Sequence, residues 1–125
     1  MTGVNDYNDY LLIGTAKPDW LQYPAELLEM VRAGRVRVVP WHLSKAAAAA
    51  GHAAELKARV KRDLVPFAFR QDQEDLACFE KGKGQQVMLV HDNCDSPYEH
   101  VGSYPSFADW LRAAEEESEE WGETA

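Results

Sequence analysis

Five residues in one short stretch have the types from which a metal centre or a reactive thiol is built: His91, Asp92, Cys94, Asp95 and His100. His91, Cys94 and His100 together would suit zinc. Spacing argues against it, because structural zinc usually draws on a second closely spaced pair and the chain has neither CxxC nor HExxH. The aspartates lack the glycine and closing glutamate of a calcium loop. A Cys94 nucleophile with His91 or His100 as base is the other option, since a thiolate needs a nearby base or cation. Cys94 instead lies between Asp92 and Asp95, whose negative charge disfavours the thiolate. Cys78, between Ala77 and Phe79, reads as a small strand residue.

Asp72, Glu74 and Asp75 crowd one turn, where carboxylates are most simply solvated. The sequence has no GxxxxGKS/T, no GxGxxG and no GxSxG, so nucleotide cofactors and serine hydrolases find no foothold. The lysines of Lys81-Gly82-Lys83-Gly84 read as a solubility device in a hairpin. The tryptophans Trp20, Trp41, Trp110 and Trp121 read as core or interface anchors, not a base-stacking platform. No catalytic constellation, metal or cofactor is expected.

Charge gives a second line of inference. The net charge is −8 and unevenly spread: residues 1–30 hold five acids and one base, residues 31–65 eight bases and two acids, and residues 66–125 fourteen acids and four bases. Nucleic-acid affinity comes largely from Lys and Arg neutralising phosphates, so direct nucleic-acid binding is not expected. The −10 second half would instead steer a basic protein. Acidity that serves only solubility is the competing reading. No apolar run approaches the roughly 20 residues that cross a bilayer. The polar start MTGVNDYNDY and two cysteines give the expectation of a cytoplasmic protein with reduced thiols.

The elements that must position these residues centre on residues 64–91. Val65, Phe67 and Phe69 alternate with Pro66, Ala68 and Arg70, the period of a pleated strand. Leu76-Ala77-Cys78-Phe79 returns as a second strand, and Val87-Met88-Leu89-Val90 is a continuous apolar third. This predicts an antiparallel meander. Tyr10 to Ile13 reads as a short strand or extended segment, and Val36 to Val39 as a brief strand or buried linker. Three helices are expected. The first follows Pro24, carries Ala25, Leu27, Leu28 and Val31 as its stripe, and is capped by Gly34. The second is capped by Ser44, runs to about Arg62, and has a thin face of Leu43, Ala47, Ala50 and Ala54 with Leu56 and Val60. The third starts at Ser106 with Asp109 completing a capping box, and packs Phe107, Trp110, Leu111 and Ala114. Residues 115–125 form an acidic tail, expected to fray from about Glu119 with Trp121 docking back. At 125 residues the chain fits one α+β domain, a meander sheet packed by helices.

Within that frame, Leu64-Val65-Pro66-Phe67-Ala68, the acidic turn, Asp75 to Phe79, Val87 to Asp92, and Ser106-Phe107-Ala108-Asp109-Trp110-Leu111 resemble the SMI1/KNR4 family of the SUKH superfamily. The resemblance covers about residues 64–112. The family's opening helices and their glycine-rich turn have no counterpart before Tyr10, and the Ala-rich helix has none either, as in a divergent or shortened member. The resemblance implies a non-enzymatic binding domain. Bacterial members resemble immunity proteins that neutralise nuclease or deaminase toxins by occlusion, and eukaryotic members resemble regulatory modules. The contact surface then expected is Asp72, Glu74 and Asp75 with Asp92, Asp95 and Tyr98. The alternatives are a metal-dependent enzyme using the His/Cys loop cluster and a housekeeping regulatory scaffold. Oligomeric state is left open.

Overall fold

The computed structural model describes residues 9–72, 75–91 and 99–121. Among them, three helices and a six-stranded antiparallel sheet form the expected α+β domain. The order is α1 (Ala25–Arg32), β1 (Arg37–Val38), β2 (Trp41–Leu43), α2 (Ala46–Val60), β3 (Leu64–Arg70), β4 (Asp75–Glu80), β5 (Val87–His91), β6 (Glu99–Tyr104) and α3 (Phe107–Glu120). Strands neighbour one another in chain order, so the sheet is a meander whose one long connection is α2.

Strand alternation divides the apolar residues between two faces. Val65, Phe67, Ala77, Phe79 and Val87 point to one face, where α1 supplies Leu27, Met30 and Val31 and α3 supplies Phe107, Trp110 and Ala114. Leu64, Leu76, Cys78, Met88 and Val90 point to the other, where they meet Leu56 and Val60 of α2. The register slips between Pro66 and Ala68 on β3, a bulge that lets Phe67 and Ala68 both join the first core. Phe67 stacks on Phe79 at 4.6 Å and stands edge-on to Trp110 at 4.8 Å and to Phe107 at 5.4 Å. Trp41 meets Trp110 edge-on at 5.4 Å. Such pairs add about 0.5–1.5 kcal/mol each beyond the area they bury. The buried Trp110 indole N–H has no hydrogen-bond acceptor among the described residues.

The helix ends follow from local chemistry. Pro24 caps α1, its carbonyl accepting from the N–H groups of Leu27 and Leu28. At the other end Gly34 takes φ +75°, and the N–H groups of Gly34 and Arg35 close on the carbonyls of Val31 and Met30. Ser106 caps α3 by accepting from the Asp109 N–H at 3.2 Å, which is half of the expected box, while the Asp109 carboxylate takes the Ser106 hydroxyl at 3.0 Å in place of the backbone N–H. Gly82 and Gly84 both take positive φ in the β4–β5 turn.

Four expectations need correction. Ser44 does not cap α2: its N–H donates to the Phe67 carbonyl as part of the sheet, and Lys45 takes the cap position. That helix stops at Val60 because Lys61 turns left-handed at φ +62°, which frees Arg62 to reach Glu80 with two hydrogen bonds of 2.8 and 3.0 Å. Its inward face is Ala46, Ala49, Ala53, Leu56 and Val60, whereas Ala47, Ala50 and Ala54 are exposed. The expected face was anchored on Leu43, which belongs to β2, and so was rotated around the helix. Trp121 stays 42 % exposed rather than docking back, just past the end of α3 at Glu120. Of Tyr10 to Ile13, expected as a short strand or extended segment, Tyr10 is helical, and residues 11–13 take no place in the sheet before a 3-10 turn at Gly14–Ala16.

Two tests bear on this packing. Ala49→Glu is expected to destabilise by about 2 kcal/mol or more, because it buries an unpaired charge, while Ala50→Glu stays within about 0.5 kcal/mol. Comparing urea midpoints checks the rotated face. The second concerns Cys78, whose thiol is pushed far up by burial, with Arg62 opposing and Glu80 adding to the shift. The unfolded chain releases this proton near the ordinary value of 9.0, while the folded chain keeps it. Above that pH the folded state holds the extra proton, so stability falls as pH rises, with a slope that grows from about 0.7 kcal/mol per unit at the ordinary value towards about 1.4 above it. Cys78→Ala should remove that slope between pH 9.0 and 10.0, below the ordinary tyrosine value that Tyr23, also raised by burial, would add. Unfolding curves at the two pH values measure it.

Candidate functional site

Four strand ends lie side by side at one end of the sheet. The chain leaves β3 at Arg70 and enters β4 at Asp75, then leaves β5 at His91 and enters β6 at Glu99. Asp75 is opposite His91 and His91 opposite Glu99, while Trp41 is opposite Arg70. The alternation that sends Ala77 and Phe79 to the α3 face sends Asp75 there too, with His91 beside it. The C-terminal half of α3 arrives over the same end, because Phe107, Trp110, Ala114 and Glu117 recur at helical spacing and the last of them is polar.

Arg70 organises this end. Its side chain is 12 % exposed and its guanidinium lies over the Trp41 ring, 5.5 Å from the centroid. It grips Asp72 through Nε at 2.9 Å and Nη2 at 2.8 Å, and Glu117 through Nη1 and Nη2, both at 2.9 Å. Hydrogen bonds to Asp72, with those to Glu117, outweigh the opposing desolvation and hold the proton on the guanidinium more tightly than usual. Next to it, His91 Nδ1 meets Asp75 Oδ1 at 2.6 Å. On the opposite sheet face the His42 ring stacks on half-exposed Phe69 at 5.3 Å and meets the Gln71 side-chain carbonyl.

The expected contact residues therefore separate. Asp72 and Asp75 do come to one sheet end, but neither is the loosely solvated turn residue that composition suggested. Asp72 is locked to Arg70, and Asp75 opens β4 and is bonded to His91. Glu74, Asp92, Asp95 and Tyr98 lie outside the described residues, as does Cys94, and of His100 only the backbone position opposite Val90 is described. Among the described residues, no group of three or more His, Cys, Asp or Glu side chains is placed to hold a metal ion. No described helix is long and apolar enough to cross a membrane.

Sequence reasoning missed Arg70, Glu117 and Trp41. The signal for Glu117 was present in its spacing from Trp110 and Ala114, which puts it on the helix stripe that faces the sheet. Arg70 carries no such signal, because unbroken alternation from Val65 assigns it to the opposite face and the bulge between Pro66 and Ala68 is what brings it to the side of the first core.

Compared with known proteins, no family model, no curated protein and no solved structure matches the chain significantly. The functional reading therefore rests on the residues themselves.

Arg70 and Arg35 make a controlled comparison. Arg35 pairs with Glu115 at 2.6 Å, but both side chains are more than two-fifths exposed. Arg35→Gln should cost less than about 1 kcal/mol. Arg70→Met strands two carboxylates in a partly buried place and should cost about 3 kcal/mol. Paired urea titrations at low and at high salt check the contrast, with salt weakening the Arg35 pair more.

Proposed function

We propose that this chain is a non-enzymatic binding domain of the SMI1/KNR4 type that presents an acidic surface to a basic protein partner. The single observation that carries the reading is the gathering of three carboxylates at one sheet end, Asp72 and Glu117 on the Arg70 guanidinium and Asp75 on His91, so that acidic groups outnumber arginine there. Exposed Glu116, Glu119 and Glu120 extend the same sign along α3. Carboxylates fixed by Arg70 and His91 lose little side-chain freedom when a partner arrives, which favours affinity. Complementary charge would speed the encounter and reject like-charged surfaces.

The more specific reading is an immunity protein. It neutralises a cognate bacterial toxin of nuclease or deaminase type, in the cytoplasm, by covering the basic cleft with which such a toxin holds its substrate. The resemblance of residues 64–112, together with the meander and the capped closing helix, supports this reading. On it the domain occludes and carries out no reaction of its own.

A gene for a basic toxin is expected beside this one, and co-expression of the two should restore growth of a bacterial host that the toxin alone arrests. The combined variant Glu116→Lys, Glu119→Lys and Glu120→Lys should weaken the complex by about 100-fold, the scale of several rim charges acting together. Its urea midpoint should hold, because these side chains are solvated. Undiminished neutralisation by that variant and by Asp95→Lys would remove the acidic surface from the reading.

A further inference from the structure

A hollow of about 240 Å³ lies away from the acidic sheet end, between residues 11–17 and α1. It is lined by Leu11, Leu12, Ile13, Lys17, Tyr23 and Leu28. Four of the six are aliphatic, and Ile13 is 53 % exposed at the mouth. The two polar side chains are both held by the backbone. Tyr23 Oη accepts the Leu12 N–H at 3.1 Å, and Lys17 Nζ donates to the Leu21 carbonyl at 2.7 Å.

Those bonds fix the two heads without using them up. A phenolic oxygen that accepts one N–H still has its own hydrogen to donate, and an ammonium that makes one bond has two left. Among the described residues neither remaining donor has an acceptor, and no carboxylate pairs with Lys17. The hollow thus combines an apolar wall with two donors, one of them a cation, and its lining contains no carboxylate. Ligand sites have this character: mostly apolar, with a few polar groups that set orientation.

We propose that this hollow binds a small apolar monocarboxylate, its carboxylate on Lys17 and Tyr23 and its hydrocarbon tail against Leu11, Leu12 and Leu28. The volume holds about eight water-sized groups, which matches a chain of about six to eight carbons. A neutral alcohol would leave the cation unanswered, and an amine would repel it. Burial already raises the Tyr23 hydroxyl above its ordinary value, so it stays a donor across the neutral range. This inference does not depend on the acidic-surface reading, and either can fail alone.

The test uses the full chain with octanoate, octanol and octylamine as probes, followed by the methyl resonances of Leu11, Leu12 and Leu28. Octanoate should shift them saturably and bind at least about tenfold more tightly than octylamine, the scale of one charged hydrogen bond. Lys17→Met should lose about tenfold in octanoate affinity, whereas Lys17→Arg keeps it within about threefold, because the charge is retained. Leu28→Trp, which fills the hollow and leaves Lys17 in place, should abolish the shifts. The absence of saturable shifts up to about 10 mM octanoate, well above any specific affinity, would overturn the proposal. Octylamine or octanol binding as tightly as octanoate would overturn it too, as would Lys17→Met binding octanoate as the parent does while remaining folded.

Discussion

The contact between Phe67 and the aromatic residues around it is the constraint on which the rest of this structure depends. Phe67 touches Phe79 across the strand pair and both Phe107 and Trp110 on α3, and Trp110 in turn touches Trp41. A sheet of short strands has little stability alone, and it becomes independent only when one face is covered. Here one aromatic cluster joins β2, β3, β4 and α3, so the closing helix is part of the sheet's core and not an appendage. The angle at which α3 leaves Ser106 then determines where its acidic half lands.

That landing solves an electrostatic problem. Glu115 to Glu120 puts five carboxylates at the end of a helix where the dipole already disfavours negative charge. The helix holds its shape because Arg35 takes Glu115 and Arg70 takes Glu117. The two cations come from opposite kinds of place, one at the solvated end of α1 and one on the sheet under a tryptophan-lined shelter. Only the second is screened from water, so the attachment of the helix to the sheet depends unequally on the two.

Much of the architecture was legible because its signals are local. The alternation in β3, the apolar run of β5, the Ser106–Asp109 box and the glycine after α1 each specify a backbone state within a few residues. What escaped was set by distant partners. The rotation of α2 could not be read from a run of five alanines, in which every face looks alike, and it is the sheet beneath that selects Ala49 over Ala50. Ser44 looked like a cap because its own chemistry suits one, but Phe67, 23 positions later by the numbering, claims its N–H. At the acidic end, sequence placed Asp72 and Asp75 near each other, while the glutamate that shares Arg70 comes from α3 and the histidine that holds Asp75 comes from the next strand. Ionic pairings of that kind carry no periodic signal.

The bulge on β3 has a further consequence. Because Phe67 and Ala68 share a face, the parity of the strand changes there, and Phe69 and Arg70 point opposite to where unbroken alternation from Val65 would send them. One supernumerary residue thereby decides that the guanidinium lies under α3 and the phenyl ring lies in the open. Removing a single residue at this point would exchange the two, turning the ion out to the open face and drawing the aromatic in under α3. The charge pattern of that whole rim is thus encoded in the length of one strand as much as in its composition.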